Sequence, residues 1–169
     1  TIASVGNATD FGDLLAVLNS KAGVASTTRA VFGGGSPGPS NVIEYVTIGS
    51  TGNSTDFGDL TAARDGPGSA SSSTRGLWAG GHGTAINVID YITIANTGNA
   101  TDFGDLTAAR NYLAGNTNST RACFGGGSGL SNVIDYVTIA ATGDAADFGD
   151  LSKARNEVTG TSNGHGGLA

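Results

Sequence analysis

The chain has 169 residues, enough for one domain with an apolar core, yet only 13% of them are charged, 29 are Gly, and the formal net charge is −6. An acidic balance without Lys/Arg clusters excludes a phosphate-binding nucleic-acid surface, while low charge with near-zero mean hydropathy argues against a solvated disordered polymer. The lone Cys123 can make neither an internal disulfide nor a cysteine-based zinc site, and no apolar run approaches the roughly 18 residues of a membrane span.

In chain order, the first recognisable block is "NATDFGDL" at 7–14. The following "GDLLAVLNSKAG" (12–23) is the one stretch with helical periodicity, but it aligns with "GDLTAAR" further on and reads as a variant connection. Arg29 then precedes the apolar, glycine-terminated "VFGGG" (31–35), and "NVIEYVTI" (41–48) follows. From here everything recurs. "NSTDFGDL" (53–60), "NATDFGDL" (99–106) and "DAADFGDL" (144–151) place Phe11, Phe57, Phe103 and Phe148 at intervals of 46, 46 and 45 residues. Arg75 and Arg121 repeat Arg29; "LWAGG" (77–81) and "CFGGG" (123–127) repeat the glycine-ended block; "NVIDYITI" (87–94) and "NVIDYVTI" (132–139) repeat the β-branched one. "TAAR", "TAAR" and "SKAR" end in Arg64, Arg110 and Arg155.

A repeat of this density is a tandem array of one supersecondary unit, and a period of about 40–50 residues points to propeller-type arrays. "NVIDYVTI" has strand composition. Its alternation puts Ile134, Tyr136 and Thr138 on one face and Val133, Asp135, Val137 and Ile139 on the other, both largely apolar, as in a strand between layers. "RACFGG", "ATDFGDL" and "YLAGNTNS" supply three more short strands, with Gly, Asn and Ser turns between them. Four strands per unit predict an all-β chain with one blade-like sheet in each of three units, approximately 19–64, 65–110 and 111–155. Residues 1–18 and 156–169 are partial units that together could form a composite fourth blade lacking its "NVIDYV" portion. A closed ring removes exposed edges. An open array, completed by another copy or a neighbouring protein, is the alternative geometry.

The acidic phrase offers Asp10/Asp13, Asp56/Asp59, Asp102/Asp105 and Asp147/Asp150 beside its Asn and Thr oxygens. Calcium is the ion such oxygens suit, but carboxylates flanking Phe-Gly also serve turns. The structural reading is preferred, with no cofactor and no metal. Arg29, Arg75, Arg121, Arg64, Arg110 and Arg155 are expected to tie unit junctions together, pairing with those aspartates or with backbone carbonyls. Cys123 aligns with Val31 and Leu77 and reads as a buried apolar residue; Trp78 aligns with Phe32 and Phe124 in a core strand. His82 and His165 sit among glycines without a third metal ligand. Tyr112 has no aromatic counterpart and stands at a unit junction. No nucleophile elbow, catalytic triad or phosphate-binding loop is legible, so no enzymatic activity is expected.

The order arginine, apolar strand, Gly-Gly, loop, strand with Tyr, then an aromatic resembles the kelch motif, carried most fully by "TRGLWAGG…NVIDYITIANTGNATDFGDLTAAR" (74–110), with Phe103 where kelch repeats place Trp. "VIDYITI", "TGNATDFGDLT" and the tail "SNGHGGL" (162–168) are more specifically similar to kelch-like repeat proteins of bacteriophages. That resemblance implies a β-propeller of about four blades in a virion, most readily a tail fibre. Its partners would be host cell-surface glycan or other virion proteins, without membrane insertion, and it could form a homo-oligomer. Binding would fall to the loops where units differ most, "SPGPS" (36–40), "HGTAI" (82–86) and "SGLS" (128–131), which carry Ser36, His82 and Ser128, with Tyr112 nearby. A capsid decoration or fibre assembly protein, and a secreted or cellular kelch-like scaffold, are the alternatives. The chain opens at Thr1 without Met or a legible signal peptide, as in a processed product or a fragment.

Overall fold

The computed structural model describes residues 6–83, 87–129 and 131–161. The chain is all-β, with strands and no helix among the described residues. The first sheet contains β1 (Ala22–Ala25), β2 (Arg29–Gly33), β3 (Ser40–Thr47) and β4 (Thr55–Asp65). The second contains β5 (Gly68–Ser71) and β6 (Arg75–Ala79), then β8 (Val88–Thr93) and β9 (Thr101–Asp105). Between β6 and β8 the two-residue β7 (His82–Gly83) crosses to pair with the end of β4. The third sheet contains β10 (Ala114–Thr117), β11 (Arg121–Gly125), β12 (Val133–Thr138) and β13 (Ala146–Asp150). Each is an open antiparallel meander in sequence order, and the first is extended by β7.

The sheets pack on one another in succession, and the cores lie between them. Val24, Val31, Ile43, Phe57 and Leu60 of the first unit meet Trp78, Ile92 and Ile94 of the second. Leu77, Ile89, Phe103 and Leu106 of the second unit meet Phe124, Val137 and Ile139 of the third. Both faces of the second sheet are therefore covered, which explains why the "NVIDYITI" strand needs apolar residues at both parities. The first strands run side by side: Ser69 Oγ donates to Gly23 O at 2.8 Å and Thr117 Oγ1 to Ser71 O at 2.9 Å. Together with residues 158–161 these strands line a cavity of about 510 Å³.

Just ahead of β1, β5 and β10 the backbone turns through a left-handed residue at the same repeat position, Ser20 (φ 54°), Gly66 (57°) and Tyr112 (53°), and Glu157 (52°) repeats the turn one period on. These turns are chained, since the Gly66 amide donates to Ser20 O and the Tyr112 amide to Gly66 O. The segment read as a variant connection holds no helix; it leads to a bridge between Asn19 and Ser36.

Candidate functional site

The repeated acidic phrase is a joint with two ends. In every sheet the last strand is bulged at its Phe. Ile43 pairs with Gly58 and Glu44 with Asp56, passing over Phe57; Phe103 and Phe148 are passed over in the same way. A bulge leaves one residue unpaired and re-aims it. Here the re-aimed ring meets the Tyr of the neighbouring strand edge-on, at 5.8 Å for Tyr45–Phe57, 5.8 Å for Tyr91–Phe103 and 5.9 Å for Tyr136–Phe148.

The tail of each phrase then docks on the head of the next copy. Phe57 O and Asp59 O accept the Gly98 and Ala100 amides, and Asp59 N donates to Asn99 Oδ1 at 3.1 Å. Phe11 and Asp13 make the same three bonds to Gly52, Ser54 and Asn53, and Phe103 and Asp105 make them to Gly143, Ala145 and Asp144. The intervening glycine is obligatory for close approach: at Gly12, Gly58 and Gly104, all at positive φ, a Cβ would collide with the facing Gly52, Gly98 or Gly143 backbone. Among the described residues the fourth phrase has no such neighbour, and a Cβ at Gly149 would meet none of them within 4 Å.

Asp10, Asp102 and Asp147 accept the amide two residues on, from Gly12, Gly104 and Gly149, in Asx-type turns. Asp13, Asp59 and Asp105 serve the joint through their backbones, and Asp56 pairs with Glu44 in the ladder. Asp150 ends the ladder opposite Val133. Among the described residues no three acids, histidines or cysteines gather at metal-ligand spacing.

The arginines pair differently from the expectation. Arg64 and Arg110 reach the acid inside the next unit's central strand, not the aspartates of the phrase. Arg64 Nη2 lies 2.9 Å from Asp90 Oδ2, and its Nη1 bonds Gly80 O and Val88 O. Arg110 Nη2 lies 2.5 Å from Asp135 Oδ2, with Gly126 O and Val133 O on Nη1. Each acid also accepts the hydroxyl and amide of the preceding unit's Thr61 or Thr107. Asp90 and Asp135 are fully buried, so their charge is tolerable only with this full set of donors. Burial pushes the Arg64 guanidinium down, against the attraction of Asp90 and Asp102.

The first unit holds the same joint with other residues. Leu18 stands where Arg64 and Arg110 stand, and Lys21 supplies the cation to Glu44. Ser54 Oγ donates to Glu44 at 2.5 Å and the Leu15 amide at 2.6 Å. Burial works to raise the Glu44 carboxyl, but Lys21, Ser54 and the Leu15 amide outweigh it and hold the group below its usual value.

Arg29, Arg75 and Arg121 lie over Tyr45, Tyr91 and Tyr136, 4.6, 4.8 and 4.9 Å from the ring centroids. Arg29 also donates to Ile94 O and Ala95 O of the second unit, and Arg75 to Ile139 O of the third. Arg121 and Arg155 are exposed and make no ion pair among the described residues. Cys123 is half-buried where Val31 and Leu77 are fully buried; burial raises its thiol, against the pull of Arg121.

Three residues outside the repeat pattern converge. Tyr112 lays its ring on Gly66. Asp65, buried, keeps Oδ1 without a hydrogen-bond partner and sits 4.0 Å from Nδ1 of exposed His82. The Asp65 charge, and secondarily burial, raises the Tyr112 phenol. Ser36 and Ser128 occupy the positions aligned with His82 and are engaged locally: Ser36 in the bridge to Asn19, Ser128 Oγ in accepting the Asn111 amide at 3.3 Å. His165, the 162–168 tail, residues 84–86 of "HGTAI" and Leu130 of "SGLS" lie outside the described residues. The chain matches no protein-family model and no curated protein.

Sequence reasoning missed Glu44, Asp90 and Asp135, together with Thr61, Thr107, Lys21 and Ser54. The available signal was an acid recurring inside an otherwise apolar strand, with a Thr-x-x-Arg in the preceding unit ahead of Asp90 and Asp135.

Proposed function

We propose that the chain is a non-enzymatic, kelch-like propeller module of a phage virion, most readily a tail fibre. In this reading the three sheets are blades, the chain ends contribute a partial fourth, and the surface at Asp65, His82 and Tyr112 contacts host cell-surface glycan. The observation that carries the reading is the division of labour among polar residues. The Thr, Asp and Arg of the two repeated junctions bond each other or backbone, while Asp65, His82 and Tyr112, which have no counterparts in the other units, meet at one surface. An exposed aromatic ring and an exposed imidazole, both held near the Asp65 carboxylate, suit a sugar, whose apolar face stacks and whose hydroxyls bridge. The virion setting is supported by the resemblance of the repeat blocks to phage kelch-like proteins.

The test is saturable binding on a glycan array, repeated with Tyr112→Ala and Asp65→Asn. Loss of signal in both folded variants supports the reading. Absence of any saturable glycan would favour the assembly role, in which the loops contact only other virion chains.

A further inference from the structure

The left-handed turns keep one residue type and vary the next. The position just ahead of the turn is an Asx in every copy, as Asn19, Asp65, Asn111 and Asn156, but the turn residue is Ser20, Gly66, Tyr112 and Glu157 in succession. Glycine is the residue such backbone favours. Three of the four nevertheless carry a side chain, and non-glycine residues held at positive φ gather at ligand-binding sites. Gly66 has its own reason, since Tyr112 rests on it and a Cβ there would stand 2.5 Å from the ring.

The four turn residues surround a cavity of about 260 Å³, below the usual range of drug-sized pockets and suited to a single sugar ring. Pro67, Leu113 and Val158 give it apolar wall, and Tyr112 and Glu157 are its exposed members. Its charge is one-sided. The Asp65 carboxylate, with burial and then Glu157 behind it, raises the Tyr112 phenol. Lys21, the one cation among the described lining residues, is committed to Glu44, and neighbouring Arg64 is buried against Asp90. An anionic group entering here meets carboxylates without a free cation, whereas a cationic group meets carboxylates and an aromatic ring.

We propose that this cavity selects a terminal pyranose carrying a free, protonated amino group over its N-acetylated, neutral and acidic counterparts. The ammonium is held by the Glu157 carboxylate and the Tyr112 ring, in the field of Asp65, while the apolar face of the sugar lies on Pro67, Leu113 and Val158. Acetylation removes the charge and enlarges the group, so it works against both size and attraction. The inference rests on the glycan reading of this surface and names the sugar that the surface takes.

The test titrates the full chain with the methyl glycosides of glucosamine, N-acetylglucosamine, glucose and glucuronic acid, followed by the amide NMR signals of Gly66, Tyr112 and Glu157. Saturable shifts at these residues are expected with the glucosaminide, with affinity about ten-fold above the other three at low salt and a smaller margin at high salt. Glu157→Gln should weaken the glucosaminide by about ten-fold, to the level of the glucoside. Glu157→Gly should lose the same affinity yet hold or raise the melting temperature, because glycine suits the left-handed turn; that separates binding from folding. An unbound glucosaminide, a preference for any other sugar, or indifference to Glu157 overturns the inference, while a saturable signal on the glycan array keeps the glycan reading. No sugar binding in either assay overturns both.

Discussion

The joint around Glu44 and the joint around Asp135 do the same work with different residues. At Asp135 a short acid meets Arg110, whose planar fork also takes two backbone carbonyls, and Thr107 adds a hydroxyl. At Glu44 the fork is gone, since Leu18 stands in place of the arginine. A longer acid now reaches a point charge on Lys21, and the hydroxyl comes from Ser54 within its own unit. The lesson is that the array conserves a buried carboxylate with at least three donors, not a particular side chain. Arg and Lys are not interchangeable at such a site, so the exchange came with a change of acid and of hydroxyl donor.

The comparison can be broken most severely by removing one cation. Arg110→Ala leaves Asp135 buried and unpaired and should cost about 3–5 kcal/mol in urea unfolding. Lys21→Ala should cost about 2–3 kcal/mol, because Ser54 and Leu15 still serve Glu44. Next comes close approach. Gly104→Ala should destabilise by about 2 kcal/mol more than Gly149→Ala in the same assay. Both pay the strain of positive φ, and only the first also meets a neighbouring backbone.

Glu44→Asp should cost about 1–2 kcal/mol by shortening the reach to Lys21. The same site sharpens the contrast through pH. Glu44 titrates lower when folded than its usual 4.5, so the unfolded chain binds more protons in that window and stability falls as pH drops through it. Thermal melts across that range should show a shallower acid loss for Glu44→Gln. The smallest effect belongs to the exposed joint bond: Asn99→Ala should cost about 0.5–1.5 kcal/mol, read as a small shift in urea midpoint.

The strands and their period were legible because β-branched runs and Gly/Asn turns recur at fixed spacing. The burial of Trp78 and Phe124 followed from alignment between units. The Phe-Gly bulge was not legible, because a bulge is a matter of register between two strands and leaves no mark in either alone. Asp135 was assigned to its correct face, yet its partner was not, since Arg110 reaches it across a sheet boundary. The substitution of Leu18 for arginine together with Glu44 for aspartate was in plain view, but its meaning depends on Lys21 lying one short turn further on.

The linked left-handed turns carry a consequence for how the array comes apart. Each bond runs only from one unit to the next, so cohesion is a series of nearest-neighbour couplings, as in a one-dimensional chain of spins. Fraying should begin where a unit has a neighbour on one side only. Loosening the third unit should free the Tyr112 amide to exchange with solvent deuterium while the Gly66 amide, held by Ser20 of the first unit, stays protected.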